Sequence, residues 1–439
     1  MPDSLAPFAK PIAIFTIGTL GDVRPCVALG QGLQRAGHPV RIVTSANFEP
    51  LVRDSGLEFR PLTADFQDLL DGDRSISERG LNLYAMARTF RERYARWAEH
   101  WVAEGLAASE GAGLLIGVSN AIQLAKALSE ARGIPFAIAR LQPLTPSRLL
   151  PPMVLAGTRE RLPGALSLGL YKLIHLLVWY VMQPAINERV RPRLGLPRFP
   201  WYGPHLGRRP QQELTINGYS AQLLPRPADW PASSQVTGYW FLDQSHWRPS
   251  AGLQRFLDAG EAPVYVGFGS MVNDDAAGFT RTVLDALARS GRRAVLATGW
   301  GGLDGEEGQR DERTYILRHA PHDALFPLMC AAVHHGGAGT TAAAVRAGIP
   351  SVVVPFYGDQ PFWARCLQRR GVAPPAVQRK ALDAASLAAA IDATQQPAMR
   401  EAAAALGRSV RAEDGVGAAV RQLRDWGLLS ASPSLRSVA

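Results

Sequence analysis

Residues 333–360 read VHHGGAGTTAAAVRAGIPSVVVPFYGDQ. Gly336, Gly337, Ala338 and Gly339 let the backbone approach a ligand closely and adopt positive φ, which a Cβ opposes. Thr340 and Thr341 read as the start of a helix that Gly348 and Pro350 stop. A glycine turn opening a helix aims free N–H groups and the positive dipole end at one point, which is an anion site. His335 beside it is placed to donate a charge-assisted hydrogen bond to a phosphate oxygen. The plain alternative is a tight turn with a buried histidine. The apolar run SVVVPF (351–356) reads as a buried parallel strand, so Asp359 and Gln360 emerge at its carboxyl end beside that turn. A carboxylate and an amide together match neighbouring sugar hydroxyls. A grip for phosphate next to a grip for hydroxyls points to a nucleotide-sugar.

Outward from this stretch the chain reads as two βα-rich halves. The first has strands at 11–17, 40–44, 114–119 and 135–140, helices at about 24–36 and 121–131, and a long amphipathic helix over roughly 77–108. The second has strands at 263–270, 292–300 and 315–321 and a helix over 276–289. Short apolar strands alternating with helices predict parallel sheets covered on both faces. Ligands then sit beyond the carboxyl ends of the strands, where the topology switches. The expected division is a first domain over 1–235, a Pro-, Ser- and Trp-rich linker over 236–262, a second domain over 263–411, and a terminal helix and tail over 412–439 that folds back to the first domain.

Composition narrows the class. With 47% hydrophobic and 19% charged residues, the 439-residue chain is globular and long enough for more than one domain. Net charge is +9, yet the basic residues are scattered, so nucleic acid is not an expected partner. Cys26, Cys330 and Cys366 show neither metal spacing nor an even count, which fits a reducing compartment. The opening MPDSLAPFAKPIAIF does not read as a secretory signal, and the expectation is a cytoplasmic protein. The most membrane-like segment, 165–183 (ALSLGLYKLIHLLVWYVMQ), is interrupted by Lys172 and His175. It reads as a very hydrophobic helix that packs in a core or lies at an interface, with peripheral membrane contact as one outcome.

The motifs, in order, carry a resemblance. HHGGAGTTAAAVRAGIPSVVVPFYGDQPFWA, with VYVGFGSM and RHAPHDALFPLMCAAV before it and GTLGDVRPCVALGQGLQRAGH near the start, resembles the inverting GT-B glycosyltransferases of the UDP-glycosyltransferase superfamily. Within it the sterol 3-β-glucosyltransferase and antibiotic-glycosyltransferase branch is most similar. The resemblance implies an α/β fold of two Rossmann-like domains whose parallel sheets face across a cleft. It implies that His335, Gly337, Ala338, Gly339 and Thr340 bind the donor diphosphate, with Ser270 as a second contact and Thr19 nearby. Asp359 and Gln360 take the positions that hold the donor sugar, and His319 and Ala320 lie in the segment that frames the nucleobase. Asp22 of GTLGDV matches the aspartate that serves as base; as a residue after a strand it also reads as a helix N-cap. There are two departures: His319 stands where plant members stack a Trp, and Ala343 where plant and macrolide members carry a Glu for the ribose.

The implied reaction moves a hexose, glucose from UDP-glucose, to the hydroxyl of a hydrophobic acceptor, with no resident cofactor. Asp274-Asp275 has the look of a metal-binding pair but reads as a helix start, and no metal site is expected. His38, at the wrong end of its strand, reads as structural. The apolar segment 141–183 is the expected acceptor side. The alternatives are a dTDP-sugar rhamnosyl- or deoxysugar transferase, a nucleotide-sugar 2-epimerase, and a catalytically silent auxiliary protein. A dinucleotide-dependent oxidoreductase is disfavoured, because GTLGDV is not GxGxxG and the second strand lacks a closing acid.

Overall fold

The computed structural model describes residues 10–64, 83–155, 162–204, 213–243, 247–269, 271, 275–299 and 302–429. The first sheet has strands β1 (Ile12–Ile17), β2 (Val40–Thr44), β3 (Glu58–Pro61), β4 (Leu114–Ser119), β5 (Phe136–Arg140), β6 (Thr215–Asn217) and β7 (Ser234–Val236) in the order β3-β2-β1-β4-β5-β6-β7. All its pairings are parallel. β1 is buried at every position, as a strand covered on both faces must be. On one face lie α1 (Leu20–Arg35) and α2 (Glu49–Asp54); on the other lie α3 (Leu83–Ala108) and α4 (Ile122–Arg132). α5 (Gly164–Gln183) then continues into wider π-type turns over Pro184–Val190.

The second sheet follows α6 (Ala251–Asp258). It contains β8 (Val264–Gly267), β9 (Ala294–Ala297), β10 (Gly308–Gln309), β11 (Thr314–Leu317), β12 (Ala331–His334) and β13 (Ser351–Val353), ordered β10-β11-β9-β8-β12-β13. Only the short β10–β11 pair is antiparallel. Its helices are α7 (Ala276–Ser290), α8 (His322–Leu325), α9 (Ala338–Ala347), α10 (Gln360–Arg369), α11 (Ala384–Ala393) and α12 (Pro397–Arg411), and α13 (Gly415–Asp425) ends the described chain.

Two elements depart from the sequence reading. α1 begins at Leu20, not near 24, because Thr19 caps it and Asp22 at its third position accepts from the Thr19 amide; Asp22 is therefore not the N-cap. The stretch read as linker contains α6, whose Ser250 side chain accepts from the Leu253 amide. Leu253 and Phe256 are buried against Tyr265 and Tyr315, so α6 is part of the second domain's core. Asp275 caps α7 by accepting from the Gly278 amide at 2.7 Å.

The halves share apolar surface. Tyr219, Leu223 and Trp230 of the first meet Phe362, Trp363 and Leu367 of the second in one buried cluster. α13 crosses back onto α1, burying Ala419, Val420 and Leu423 beside Val27 and Leu33. The crossing is tight at Gly32, where a Cβ would lie 2.1 Å from Val416 Cγ1. Gly32→Ala is expected to cost about 1–3 kcal/mol by overpacking, and Val416→Ala in the same chain to recover much of it. Urea unfolding of the wild type and the two variants checks this; no loss in Gly32→Ala would mean the helices are free to separate.

Candidate active site in the interdomain cleft

In each sheet the strand order reverses at one place, and each half of the site sits there. In the first sheet the reversal lies between β1 and β4, which end in register at Ile17 and Ser119. Asp22 stands over that gap. Its Oδ2 accepts from the Thr19 amide at 2.9 Å and the Thr19 hydroxyl at 3.2 Å, and its Oδ1 accepts from the Ser119 hydroxyl at 2.7 Å. Gly18 makes room, since a Cβ there would sit 2.2 Å from Asp22 Oδ2. Ser119 holds a left-handed φ of 48° to deliver its hydroxyl, a conformation that costs a non-glycine residue energy. Burial raises the Asp22 pKa above 3.8, and the hydrogen bonds from Ser119 and Thr19 offset only part of that rise.

In the second sheet the reversal lies between β8 and β12, paired at Gly267 and His334. α9 begins at Ala338, two residues before the expected Thr340, with Gly337 as its cap. Its first intrahelical bond from outside that turn runs from the Thr341 amide to the Gly337 carbonyl. The amides of Ala338, Gly339 and Thr340 therefore precede the helical ladder. A Cβ on Gly339 would meet nothing within 4 Å, so that turn faces open space. Gly336 has φ 89°, and a Cβ there would lie 2.7 Å from Val353 Cγ1. His335 lies against two glycines: a Cβ on Gly269 (φ 63°) would be 3.2 Å from its Cε1, and one on Gly337 2.4 Å from its Nε2. Gly299, two residues after β9, backs this loop: a Cβ there would lie 2.4 Å from the Gly269 carbonyl oxygen. The loops after β8 and β12 thus meet at one imidazole, with the loop after β9 behind them. Ser270 lies outside the described residues.

Burial pushes the His335 imidazole down to about 4, so among the protein's own groups the ring is neutral at pH 7, and a hydrogen bond from it to a phosphate oxygen would take its charge assistance from the anion. Its Nδ1, with His334 Nε2 and the Thr341 hydroxyl, is buried without a hydrogen-bond partner in the protein.

Asp359 is the first residue before α10 and takes a hydrogen bond from Trp363 Nε1 at 2.8 Å. Burial raises its pKa; the bond from Trp363 lowers it, Asp22 across the cleft adds a further upward push, and the Gln142 side chain lowers it. Gln142 follows β5 in the first domain, so a polar group of the opposite wall lies near Asp359. Gln360 behaves differently from expectation. It is buried, its Oε1 accepts from the amides of Phe356 and Tyr357 at 2.7 and 3.1 Å, and its Nε2 points at Met271 Sδ. In this arrangement Gln360 shapes the turn that presents Asp359. His319 is exposed after β11, near Arg24, whereas Ala320 is buried in the core beneath it. Thr19 reaches Asp22 with both its amide and its hydroxyl.

Sequence reasoning missed Ser119, Gln142, Gly269, Gly299, Trp363 and Arg24. Arg24, on α1 just beyond Asp22, reaches Asp323 Oδ1 at 3.3 Å and the Leu242 carbonyl at 2.9 Å. Trp363 had a signal, lying one helical turn after Asp359 and able to donate back to it. Ser119 and Gln142 had none, because only the pairing of β1, β4 and β5 brings them to the cleft.

The buried histidines set an acid limit. His322 is held at about 3 and His335 at about 4, against 6.5 for a free imidazole, and burial is the leading cause for both. The fold accommodates their neutral forms, so their contribution is complete above pH 6.5 and is lost as pH falls toward those lower values. Urea midpoints are expected to fall steadily from pH 7 to 5, with a shallower decline in His322→Gln. An unchanged slope in that variant would show that other groups carry the acid sensitivity.

Comparison with known proteins agrees with this geometry. Residues 12–151 match the glycosyltransferase family 28 N-terminal domain, and residues 313–422 match the erythromycin biosynthesis protein CIII-like C-terminal domain. A sterol 3-beta-glucosyltransferase of Arabidopsis thaliana is 32% identical over 93% of this chain and 67% of its own length. One from Leptosphaeria maculans is 34% identical over 94% of this chain but only 28% of its own length, so the chain spans less than a third of that relative. The crystal structure of the glycosyltransferase of kitacinnamycin superposes with a TM-score of 0.68 at 19% identity, covering 97% of this chain and 100% of that one. The glycosyltransferase SnogD from Streptomyces nogalater gives 0.64 at 19% identity over 95% and 99%. With the switch-point sites and the relatives in agreement, the chain belongs to the GT-B glycosyltransferases of the UDP-glycosyltransferase superfamily.

Proposed function

We propose that the chain is an inverting, metal-independent glycosyltransferase that moves glucose from UDP-glucose to the hydroxyl of a sterol-like hydrophobic alcohol. The observation that carries this reading is the pairing of a buried aspartate over one switch point with a set of first-turn amides over the other. The sterol 3-beta-glucosyltransferases among the relatives support the acceptor class and the hexose.

In this reading Asp22 takes the proton of the acceptor hydroxyl. The acceptor oxygen bonds to the anomeric carbon on one face as the bond to the diphosphate breaks on the other, and the electron pair leaves with the diphosphate. The amides of Ala338, Gly339 and Thr340, the positive end of α9 and the neutral His335 stabilise that leaving group, so the reading requires no metal. Thr19 stands on the base's side of the diphosphate, and the unobserved Ser270 side chain keeps its expected role as a second phosphate contact. Asp359 accepts from sugar hydroxyls, Gln360 braces it, and His319 with the Ala320 backbone frames the base. The raised Asp22 pKa suits proton removal better than an ordinary carboxylate would.

The test is mass spectrometry of the purified protein with a panel of UDP- and dTDP-sugars and mixed hydrophobic alcohols, with product stereochemistry read by NMR. The expected product is a glucoside of inverted anomeric configuration. Asp22→Asn should lower kcat by about 10²–10⁴ while leaving UDP affinity within a few-fold. The wild-type rate should decline on the acid side around a pKa raised above 3.8, since only ionised Asp22 is a base. Undiminished transfer by Asp22→Asn, or release of an epimerised sugar nucleotide alone, would overturn the proposal.

A further inference from the structure

One helix among the described residues, Gly164–Arg193, is long and apolar enough to cross a membrane, yet only 22% of its most apolar window is buried. A core helix of that composition would be covered. Here α5 packs through Ser167, Tyr171, Trp179 and Met182. Its other face leaves Leu166, Leu173, Leu177 and Tyr180 exposed at 47, 51, 58 and 45%. Their spacing of seven, four and three residues puts them on one stripe about 21 Å long, at a rise of about 1.5 Å per residue. A contiguous apolar stripe left in water calls for an occupant.

We propose that this stripe is a docking surface for an anionic lipid bilayer, on which α5 lies in the headgroup plane. The inference rests on the hydrophobic-acceptor reading above for its purpose, though not for its geometry. Charge favours it. From Pro163 to Gln183 there is no acidic residue, whereas the exposed Lys172 lies on the helix flank and the exposed Arg148 abuts its first turn at Gly164. At the other end the Arg91 guanidinium sits 4.6 Å over the Tyr180 ring. An apolar face rimmed by cations matches an anionic interface. A symmetric contact with a second copy would set cation against cation, Arg148 at one end facing Arg91 at the other, with no acid between Pro163 and Gln183 to pair them.

Continuity with the cleft gives the surface a use. The segment after β5 includes Gln142, which lies near Asp359, and runs through Leu144 and Leu149, exposed at 38 and 66%. It is tied to α5 where the Ser167 hydroxyl donates to the Ser147 carbonyl at 2.7 Å and the Tyr171 hydroxyl to the Leu150 carbonyl at 3.2 Å. Leu144 and Leu149 therefore carry exposed apolar surface from the stripe toward the cleft, the side on which an alcohol dissolved in the bilayer would enter.

Flotation of the full chain with phosphatidylcholine vesicles, with and without about 30% phosphatidylserine, tests this. Binding is expected to the anionic vesicles, to weaken several-fold as salt is raised, and to fall at least tenfold in Leu173→Glu/Leu177→Glu. That variant should keep its thermal midpoint and its turnover of acceptor delivered in cyclodextrin, while turnover of vesicle-embedded acceptor falls. Vesicle binding that is unaffected by the double change would overturn the proposal. So would a wild-type dimer by light scattering that ignores vesicles and becomes monomeric in the variant. Vesicle binding is read without turnover, so loss of the transferase reading alone would leave it standing.

Discussion

The structure is organised around holding two carboxylates, Asp22 and Asp359, on opposite walls of one cleft. Burial raises both, and the charge of the first pushes the second higher still. Two acids that repel in a poorly solvated gap persist only if their hydrogen bonds and the surrounding packing over-determine them. Asp22 takes three hydrogen bonds and the space freed by Gly18; Asp359 takes one from Trp363, itself buried against Tyr219 of the other half with ring centroids 6.2 Å apart. Both are acceptors in want of donors. Hydroxyl groups supply donors without adding charge, which is why a sugar and an alcohol suit this gap better than an anion would.

The face proposed to hold the diphosphate is kept separate from the acids, and its chemistry is of another kind. It uses backbone amides and a helix dipole, whose partial charges need no counterion and do not titrate. His335 is pressed among glycines and held neutral, so it adds a donor without placing a full positive charge in the apolar turn. The glycines are what this costs. Gly269, Gly299 and Gly336 all have positive φ; a Cβ would collide at Gly299 and Gly336 and would crowd the His335 ring at Gly269. The loops after β8 and β9 can then pack behind that ring because they carry no side chain there.

Much of this was readable from the chain. β2 and β4 appear at 40–44 and 114–119 as expected, because continuous apolar runs bounded by turn residues leave little choice. The glycine turn and Asp359 were readable for the same reason, as polar groups stranded at the ends of apolar elements. What failed was information held in three dimensions. α6 was taken for linker because its Trp- and Pro-rich approach masks an eight-residue helix whose two core residues only acquire partners from β8 and β11. Gln360 looked like a free amide, but the turn at Phe356 and Tyr357 leaves two amides that its carbonyl satisfies. Ser119 and Gln142 reach the cleft only through the parallel pairing of β1, β4 and β5.

The seam between the halves is uneven. At its base the aromatic cluster around Tyr219 and Trp363, together with α13 lying on α1, buries extensive apolar surface, where each fully buried large side chain is worth about 1.5–3 kcal/mol. Beside the nucleobase-framing segment the halves meet instead through Arg24 and Asp323 at 3.3 Å, both side chains partly open to solvent, a kind of contact worth about 1 kcal/mol or less. The halves are thus held firmly through the aromatic cluster and α13, and lightly at Arg24 and Asp323. Asp22, Thr19 and Ser119 do not depend on that light contact, because their mutual hydrogen bonds lie entirely within the first domain.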